Sequence, residues 1–377
     1  MDPASTVDWI ALNLLPGLGP ISARRAVERY GDPAEIAYRL PVEEIRALGR
    51  IAADELPEIS RARRDLRRRA ERELARAERA AIAVLPLTHP DYPAALAEIH
   101  DAPVVLYVRG TLPPAVVRLA VIGSRTPTSY GKRLAVGLGA QLAARGIEVV
   151  SGGARGIDSR AHEGALAEAG GRTVAVLGSG LARLYPPENE KLFERIAASG
   201  AVVTEFALDY PPLPDNFRRR NRVISGLSAA VVVVEAAERS GSHSTATHAL
   251  EQGREVLAVP GSVESQKSVG CHRLIQQGAK LVQDVADILA ELGPLYLGAV
   301  GPGAPGSGAE RAVNWADLTA DERDVLGILS DAESVQLDRL AELAPFGIAR
   351  VQAALFGLEI RGAVEQTTGR YYVLRPK

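Results

Sequence analysis

The densest chemical signal in the chain is Phe217-Arg218-Arg219-Arg220-Asn221-Arg222, four arginines and an asparagine in five positions behind an aromatic residue. Guanidinium groups bind phosphate bidentately and stack on bases, and a neighbouring ring offers a platform that any base can use. On a helix, Phe217, Arg220, Asn221 and Ile224 share one side, whereas Arg218 and Arg222 share another. They cannot all meet one ligand. Phe217, Arg220 and Asn221 are the expected contacts, while Arg222 either joins them or serves the interior.

Four other loops of small residues carry anion-binding chemistry: Gly123-Ser124-Arg125-Thr126-Pro127, the run from Ser151 to Asp158, Gly178-Ser179-Gly180, and the run from Ser240 to Thr245. Such loops let backbone N–H groups approach an anion, and a helix starting behind them adds a favourable dipole. Ser124, Gly153, Ser240, Gly241 and Ser242 are candidates of this kind, with Arg125 and Arg155 adding charge to the rim. No loop has the third glycine of a dinucleotide fingerprint, and no G-x-x-x-x-G-K-[ST] occurs. Bound NAD or hydrolysed ATP is not expected, nor is any other cofactor. The six histidines show no metal-ligand spacing. Asp158 and His162 could couple across one helical turn, but an N-terminal-turn acid and a surface histidine explain them as well. Glu235 is expected to accept hydrogen bonds from loop donors and not to do acid–base work.

These loops need a scaffold, and the pattern from Val117 supplies one. Short β-branched runs at Val117–Ile122, Ile147–Ser151, Thr173–Leu177, Ala201–Phe206, Ala229–Glu235 and Glu255–Val259 alternate with helical segments. That alternation predicts βαβ crossovers and a parallel sheet covered on both faces, with ligands outside the carboxyl ends of the strands. Pro90 to Gly110 looks like an added strand. The chain therefore divides into a helical domain at 1–82, an α/β domain at 85–295, a Pro/Gly linker at 296–314 and a terminal domain at 315–377. In the last, three helical patterns and a small hairpin around Thr368-Gly369 predict a winged helix. It holds ten acids and seven bases from Asp317 onward, which favours protein contact over groove binding.

Within the helical domain, Pro16-Gly17-Leu18-Gly19-Pro20 turns between two helices in the manner of helix-hairpin-helix phosphate binders, although packing alone also calls for glycine there. Arg61 to Arg79 carries nine arginines against four acids. It reads either as a solvated connector helix or as a secondary electrostatic surface for DNA.

Composition sets the outer bounds. The chain has 377 residues, 46% hydrophobic and 24% charged, with a formal net charge of −2. It can build packed cores, and any basic surface must be local. One cysteine, Cys271, excludes a disulfide framework. Neither a secretion signal nor a spanning apolar run is evident, so a soluble cytoplasmic protein is expected.

Over some 200 residues the chain resembles the DprA/Smf family of DNA-processing proteins. The matching pieces include Val121-Ile122-Gly123-Ser124-Arg125, Ser151-Gly152 with Ala154-Arg155-Gly156-Ile157-Asp158, and Tyr185-Pro186. Phe217 with Arg220-Asn221-Arg222-Val223-Ile224-Ser225-Gly226, Ser240-Gly241-Ser242 and Val259-Pro260-Gly261 follow in the same order. The resemblance implies a SAM-like helical domain, an extended Rossmann-like domain and a winged helix. It also implies sequence-independent binding of single-stranded DNA, more weakly of double-stranded DNA, by a homodimer. That protein would protect incoming strands in natural transformation and load RecA past single-strand-binding protein. By the same resemblance the DNA pocket falls on Arg125, Phe217, Arg220 and Asn221, extending to Gly153, Arg155, Ser240, Gly241 and Ser242. His272, Ile275, Gln276 and Leu281 become the dimer and RecA-facing surface. Two departures stand out: Arg218 follows Phe217 where the family often has proline, and Gly178-Ser179-Gly180 replaces Gly-Cys-Gly.

A second reading is a nucleotide-processing enzyme of the lysine-decarboxylase-like phosphoribohydrolase type, loosely echoed by Ser240–Thr245 followed by Glu251. The chain lacks that group's P-G-G-x-G-T run. A third is a scaffold that meets other proteins through its winged helix.

Overall fold

The computed structural model describes residues 3–49, 51–113, 117–238, 240–297, 318–330, 335–360, 364–367 and 371–374. The expected linker at 296–314 and the Thr368-Gly369 turn fall largely or wholly outside them. The chain forms two compact units, 1–304 and 305–377.

The first unit opens with helices α1 (Pro3–Leu14), α2 (Pro20–Tyr30), α3 (Val42–Gly49), α4 (Leu56–Arg63) and α5 (Leu66–Arg79). The α1–α2 turn depends on Gly17, which adopts φ +84° and where a Cβ would lie 2.2 Å from the Ile51 side chain. Only glycine fits there, and the reason is packing. These helices have no core of their own. Trp9, Ile10, Leu12, Leu66 and Ala70 belong to one continuous apolar cluster with Val105, Tyr107, Phe193 and Val202 of the sheet region.

The sheet strands are β1 (Ile82–Pro86), β2 (Val105–Gly110), β3 (Arg118–Ile122), β4 (Glu148–Ser151), β5 (Thr173–Val176), β6 (Ala201–Thr204), β7 (Ala230–Val233), β8 (Glu255–Ala258) and β9 (Lys280–Leu281). Their order is β1-β2-β6-β5-β4-β3-β7-β8-β9. From β6 to β9 every pairing is parallel, whereas β1–β2 and β2–β6 are antiparallel. Successive residues point to opposite faces and both faces are covered. On β3, Ala120 and Ile122 join one apolar cluster while Leu119 and Val121 join another. The crossovers run through α7 (Ser129–Ala143), α8 (Ile157–Ala165), α9 (Glu190–Ser199), α10 (Pro214–Gly226), α11 (Ser242–Glu251) and α12 (Val269–Gln276), while α6 (Ala94–Ala97) lies in the β1–β2 connection and α13 (Val285–Leu297) follows β9. The α/β expectation holds, with β1 and the short edge strand β9 added to it. No helix among the described residues is long and apolar enough to cross a membrane.

The two ends of the parallel strands differ in chemistry. At the amino end Arg118 and Glu148, register partners on β3 and β4, form a buried ion pair at 2.7 Å, and Arg172 meets the same carboxylate at 2.5 Å. That end is closed by one buried carboxylate held between two arginines. The carboxyl end is open.

The second unit contains α14 (Ala320–Ser330), β10 (Val335–Gln336), α15 (Leu337–Leu343), α16 (Ile348–Ile360), β11 (Val364–Thr367) and β12 (Tyr371–Leu374). Its antiparallel sheet runs β10-β12-β11, and its own core includes Val325, Leu340, Val351, Leu355 and Tyr372. This is a winged-helix arrangement, with β10 added to the sequence expectation. Arg350, near the start of α16, is held by Asp321 at 2.8 and 2.6 Å.

His162 departs from the expected surface histidine. It is fully buried on α8, with Nδ1 2.7 Å from the Thr173 hydroxyl of β5. Burial, with Arg220 nearby, drops its pKa from 6.5 to about 3. Below the unfolded pKa the unfolded chain therefore takes up a proton that the native state refuses, so stability falls as pH drops from 6.5 toward about 3. We expect His162→Gln to flatten this acid limb, read as the difference between urea midpoints at about pH 7.5 and about pH 5. Equal acid sensitivity of the variant and the parent would contradict the assignment.

Candidate nucleic-acid interface

The strand order departs in both directions from β3 and β7, and the crevice where ligands collect in such sheets lies between their carboxyl ends. A cleft of 610 Å³ occupies that place. Its first wall is the loop from Gly123 to Thr128. The Ser124 N–H donates to the Glu235 carbonyl at 2.7 Å, and the Thr128 N–H donates to the Glu235 carboxylate at 2.9 Å. The Thr128 hydroxyl also donates to this carboxylate and caps α7 by accepting from the Gly131 N–H at 3.1 Å. Ser124 Oγ accepts the Thr126 N–H at 3.2 Å, and the Ser124 carbonyl accepts the Ile157 N–H at 3.1 Å. Glu235 thus spends its oxygens on loop donors. Arg125 projects from this fixed loop, exposed, without a carboxylate partner among the described residues, its guanidinium 5.7 Å from the Phe217 ring centroid.

Helix α10 makes the second wall. Proline at its start supplies a helical φ and lacks the N–H that would be unsatisfied there. Nearly two turns inside, Arg220 is only 4% exposed, and its Nη1 donates to the Gly152 carbonyl at 2.7 Å and to the Val176 carbonyl. The Asp158 carboxylate accepts the N–H groups of Gly152 at 3.1 Å and Ala154 at 3.3 Å. A Cβ at Gly152 would lie 2.6 Å from Arg220 and 2.7 Å from Asp158, so this close approach requires glycine. Burial lowers the Arg220 pKa to about 10, leaving it charged at neutral pH. Burial raises that of Asp158, against the pull of Arg220 and the two N–H groups. Arg220 is therefore a charge in the cleft floor and not a free arm on its rim.

Beside it, Asn221 accepts from Arg220 Nε at 3.3 Å and donates to the Gly241 carbonyl at 3.4 Å, linking α10 to the Ser240–Ser242 loop. That loop begins α11, whose N-terminus opens on the cleft through Gly241, Ser242 and Thr245. Phe217 pairs with Tyr185 at 5.5 Å between centroids, tilted by 45°. Arg155 lies 5.9 Å from the far ring of that pair and forms an exposed ion pair with Glu188. The result is a two-ring platform with a guanidinium at each end.

Of the expected residues, Ser124, Arg125, Phe217, Arg220, Asn221, Ser240, Gly241 and Ser242 all line the cleft. Arg155 stands just beyond it. Gly153 lies behind the rim, where its carbonyl accepts Asn189 Nδ2 at 2.9 Å. Arg222 points inward and is held by Glu205 at 2.6 Å and Asp101 at 3.3 Å, so its charge serves the interior. None of His272, Ile275 and Gln276 on α12 or Leu281 on the edge strand β9, two strands from β7, lines the cleft. Sequence reasoning missed Tyr185, Arg218 and Lys267 as lining residues. Lys267 reaches in from a loop over a hundred residues away and donates to Thr126 Oγ1 at 2.6 Å. Among the described lining residues, Arg125, Arg218, Arg220 and Lys267 face a single carboxylate, Asp158. Such a cleft suits a phosphate chain whose bases lie against rings. Glu251, the acid that the phosphoribohydrolase reading requires, sits at the far end of α11 beside His248 at 3.4 Å.

Residues 83–293 match the family model of DNA recombination-mediator protein A, and residues 309–370 match that of the DprA winged helix domain. Protein Smf of Escherichia coli is 41% identical over 296 residues, covering 78% of this chain and 77% of that protein. The X-ray structure of DNA processing protein A from Streptococcus pneumoniae superposes with a TM-score of 0.63 at 34% identity, over 74% of this chain and 95% of that one. A structure of DNA processing protein A from Helicobacter pylori, concerned with its single-stranded DNA binding mode, gives 0.50 at 30% identity, over 56% and 95%. With more than half its length matched in one family model and this sheet beneath the match, the chain belongs to the DNA recombination-mediator protein A family.

Proposed function

We propose that this protein binds single-stranded DNA in the cleft between β3 and β7 without reading its sequence, and that binding involves no covalent step. The observation that carries the reading is the half-buried Tyr185–Phe217 pair lining the cleft beside an exposed Arg125 that no carboxylate among the described residues neutralises. A stacked pair of rings accepts any base, and unpaired cations at the rim accept phosphate with release of counterions. Arg218 and Lys267 add rim charge, Arg220 sets the floor potential, and the positive end of the α11 dipole lies at the same cleft. The single-stranded DNA binding mode described for the Helicobacter pylori relative supports this assignment.

The wider role proposed is cytoplasmic. The protein would protect incoming strands during natural transformation and load RecA past single-strand-binding protein, acting as a homodimer. Leu281 is 41% exposed on the edge strand β9, and Gln276 on α12 is exposed beside the half-buried Ile275 and His272. An edge strand with an exposed leucine is a natural pairing surface for a second copy. The winged-helix unit is assigned to protein contact, because its one arginine on α16, Arg350, is already committed to Asp321.

Two outcomes follow. In fluorescence anisotropy with oligothymidylate, Arg125→Glu is expected to weaken binding of every sequence alike and to shallow the log–log salt slope by about 0.7. Phe217→Ala is expected to lose roughly 5- to 100-fold, the value of one stacked base, with the slope unchanged. A loss confined to one base composition would falsify the cleft as a sequence-blind site. Deleting residues 305–377, a unit with its own core, is expected to leave oligothymidylate affinity within about threefold of the full chain. Abolished binding would move the DNA site to the winged helix.

A further inference from the structure

The arginine-rich helix α5 is not explained by the cleft. Its two sides behave differently. On one side Arg67 pairs with Glu71 at 3.4 Å, as a solvated helix surface does. Arg69, Arg72, Arg76 and Arg79 recur at three- and four-residue spacing and share another face. Here Arg69 and Arg72 are exposed and have no carboxylate or hydrogen-bond partner among the described residues, and Arg79 holds only the Ala75 carbonyl at 3.1 Å.

This face lines two concavities that share Arg76. One, of 1040 Å³, lies between α5, the Pro16–Gly19 turn and the segment after β6. The other, of 550 Å³, adds Arg79 and the equally unpartnered Arg109 of β2, with no acid in its lining. The acids of the larger groove are mostly engaged. Asp209 is gripped by Arg76 at 2.9 Å, Glu205 is shared by Arg222 and Arg219, and buried Glu73 accepts the Leu208 N–H at 2.6 Å. Glu58 alone is exposed there without an ion pair among the described residues.

A second platform stands in this groove. Phe206 and Tyr210 pair at 5.1 Å, the Arg219 guanidinium lies 5.2 Å from the Phe206 ring, and Tyr210 is 40% exposed. The combination is like that of Phe217, Tyr185 and Arg125, except that Phe206 is buried, which leaves Tyr210 as the open ring, and that Arg219 also pairs with Glu205. The segment from Tyr210 to Arg219 is a wall common to both places, since Pro212, Pro214, Phe217 and Arg218 face the cleft while Tyr210, Pro211 and Arg219 face the groove.

We propose that the Arg69–Arg72–Arg79 face of α5 is a second backbone-binding surface for single-stranded nucleic acid, reached by a strand that leaves the cleft across Tyr210. This rests on the reading that a strand occupies the cleft. The surface lengthens the footprint, and its electrostatic contribution is independent of sequence.

The test compares Arg69→Glu/Arg72→Glu/Arg79→Glu, the matching triple lysine variant and Arg125→Glu, each verified as folded by circular dichroism and thermal melting. Anisotropy is read with oligothymidylates of about 6 and about 25 nucleotides. The triple glutamate variant is expected to bind the short strand like the parent. On the long strand it should lose at least about tenfold, with a salt slope shallower by about 2. The triple lysine variant should keep most of the long-strand affinity. Unchanged long-strand affinity and slope in the glutamate variant overturns the proposal, as does equal loss on both lengths. If Arg125→Glu instead leaves the short strand bound, the cleft reading fails while the α5 face is still judged by its own variant.

Discussion

One buried guanidinium organises the carboxyl end of the sheet. Arg220 ties α10 to the carbonyls of Gly152 and Val176, at the ends of β4 and β5, with the Asp158 carboxylate across the Gly152 Cα. A buried charge is tolerated only when its donors are satisfied and an opposite charge lies close. Removing one member of such an arrangement strands the others, at about 3–5 kcal/mol in comparable buried pairs. The glycine at position 152 follows from this demand. So does the aim of α10, because once Arg220 is seated, Phe217 and Asn221 must face the cleft.

The same residue type therefore does opposite work within one helix. Arg220 and Arg222 are interior charges matched by carbonyls and carboxylates. Arg218 is exposed and uncommitted, as is Arg125 across the cleft. Only charges of the second kind can exchange water and counterions for phosphate. At the other end of the strands, Arg118, Glu148 and Arg172 satisfy one another. The functional end is the one where exposed arginines are left without a carboxylate, which is how a chain of net charge −2 can hold a polyanion.

Much of this was legible in the sequence, for identifiable reasons. Strands buried on both faces appear as unbroken apolar runs, so β3 to β8 could be read with short errors at their ends. β1 was missed because Ile82–Pro86 follows α5 directly and is partly exposed. The start of α10 lies three residues before Phe217 because Pro214 begins it. Helical spacing correctly separated Arg222 from Arg220, but not the burial of Arg220, which depends on carbonyls contributed 44 and 68 residues away. Tyr185 and Lys267 were invisible as cleft residues because tertiary folding alone brings their loops there. His162 read as a surface residue because nothing local announces its bond to Thr173.

The central claim is that an unpaired strand lies in the cleft with its bases on rings and its phosphates on rim cations. A crystal structure with oligothymidylate tests this most directly. The account predicts a base against the Phe217–Tyr185 pair and a phosphate oxygen within hydrogen-bond reach of Arg125. A well-ordered strand bound elsewhere, with nothing between the β3 and β7 loops, would contradict it.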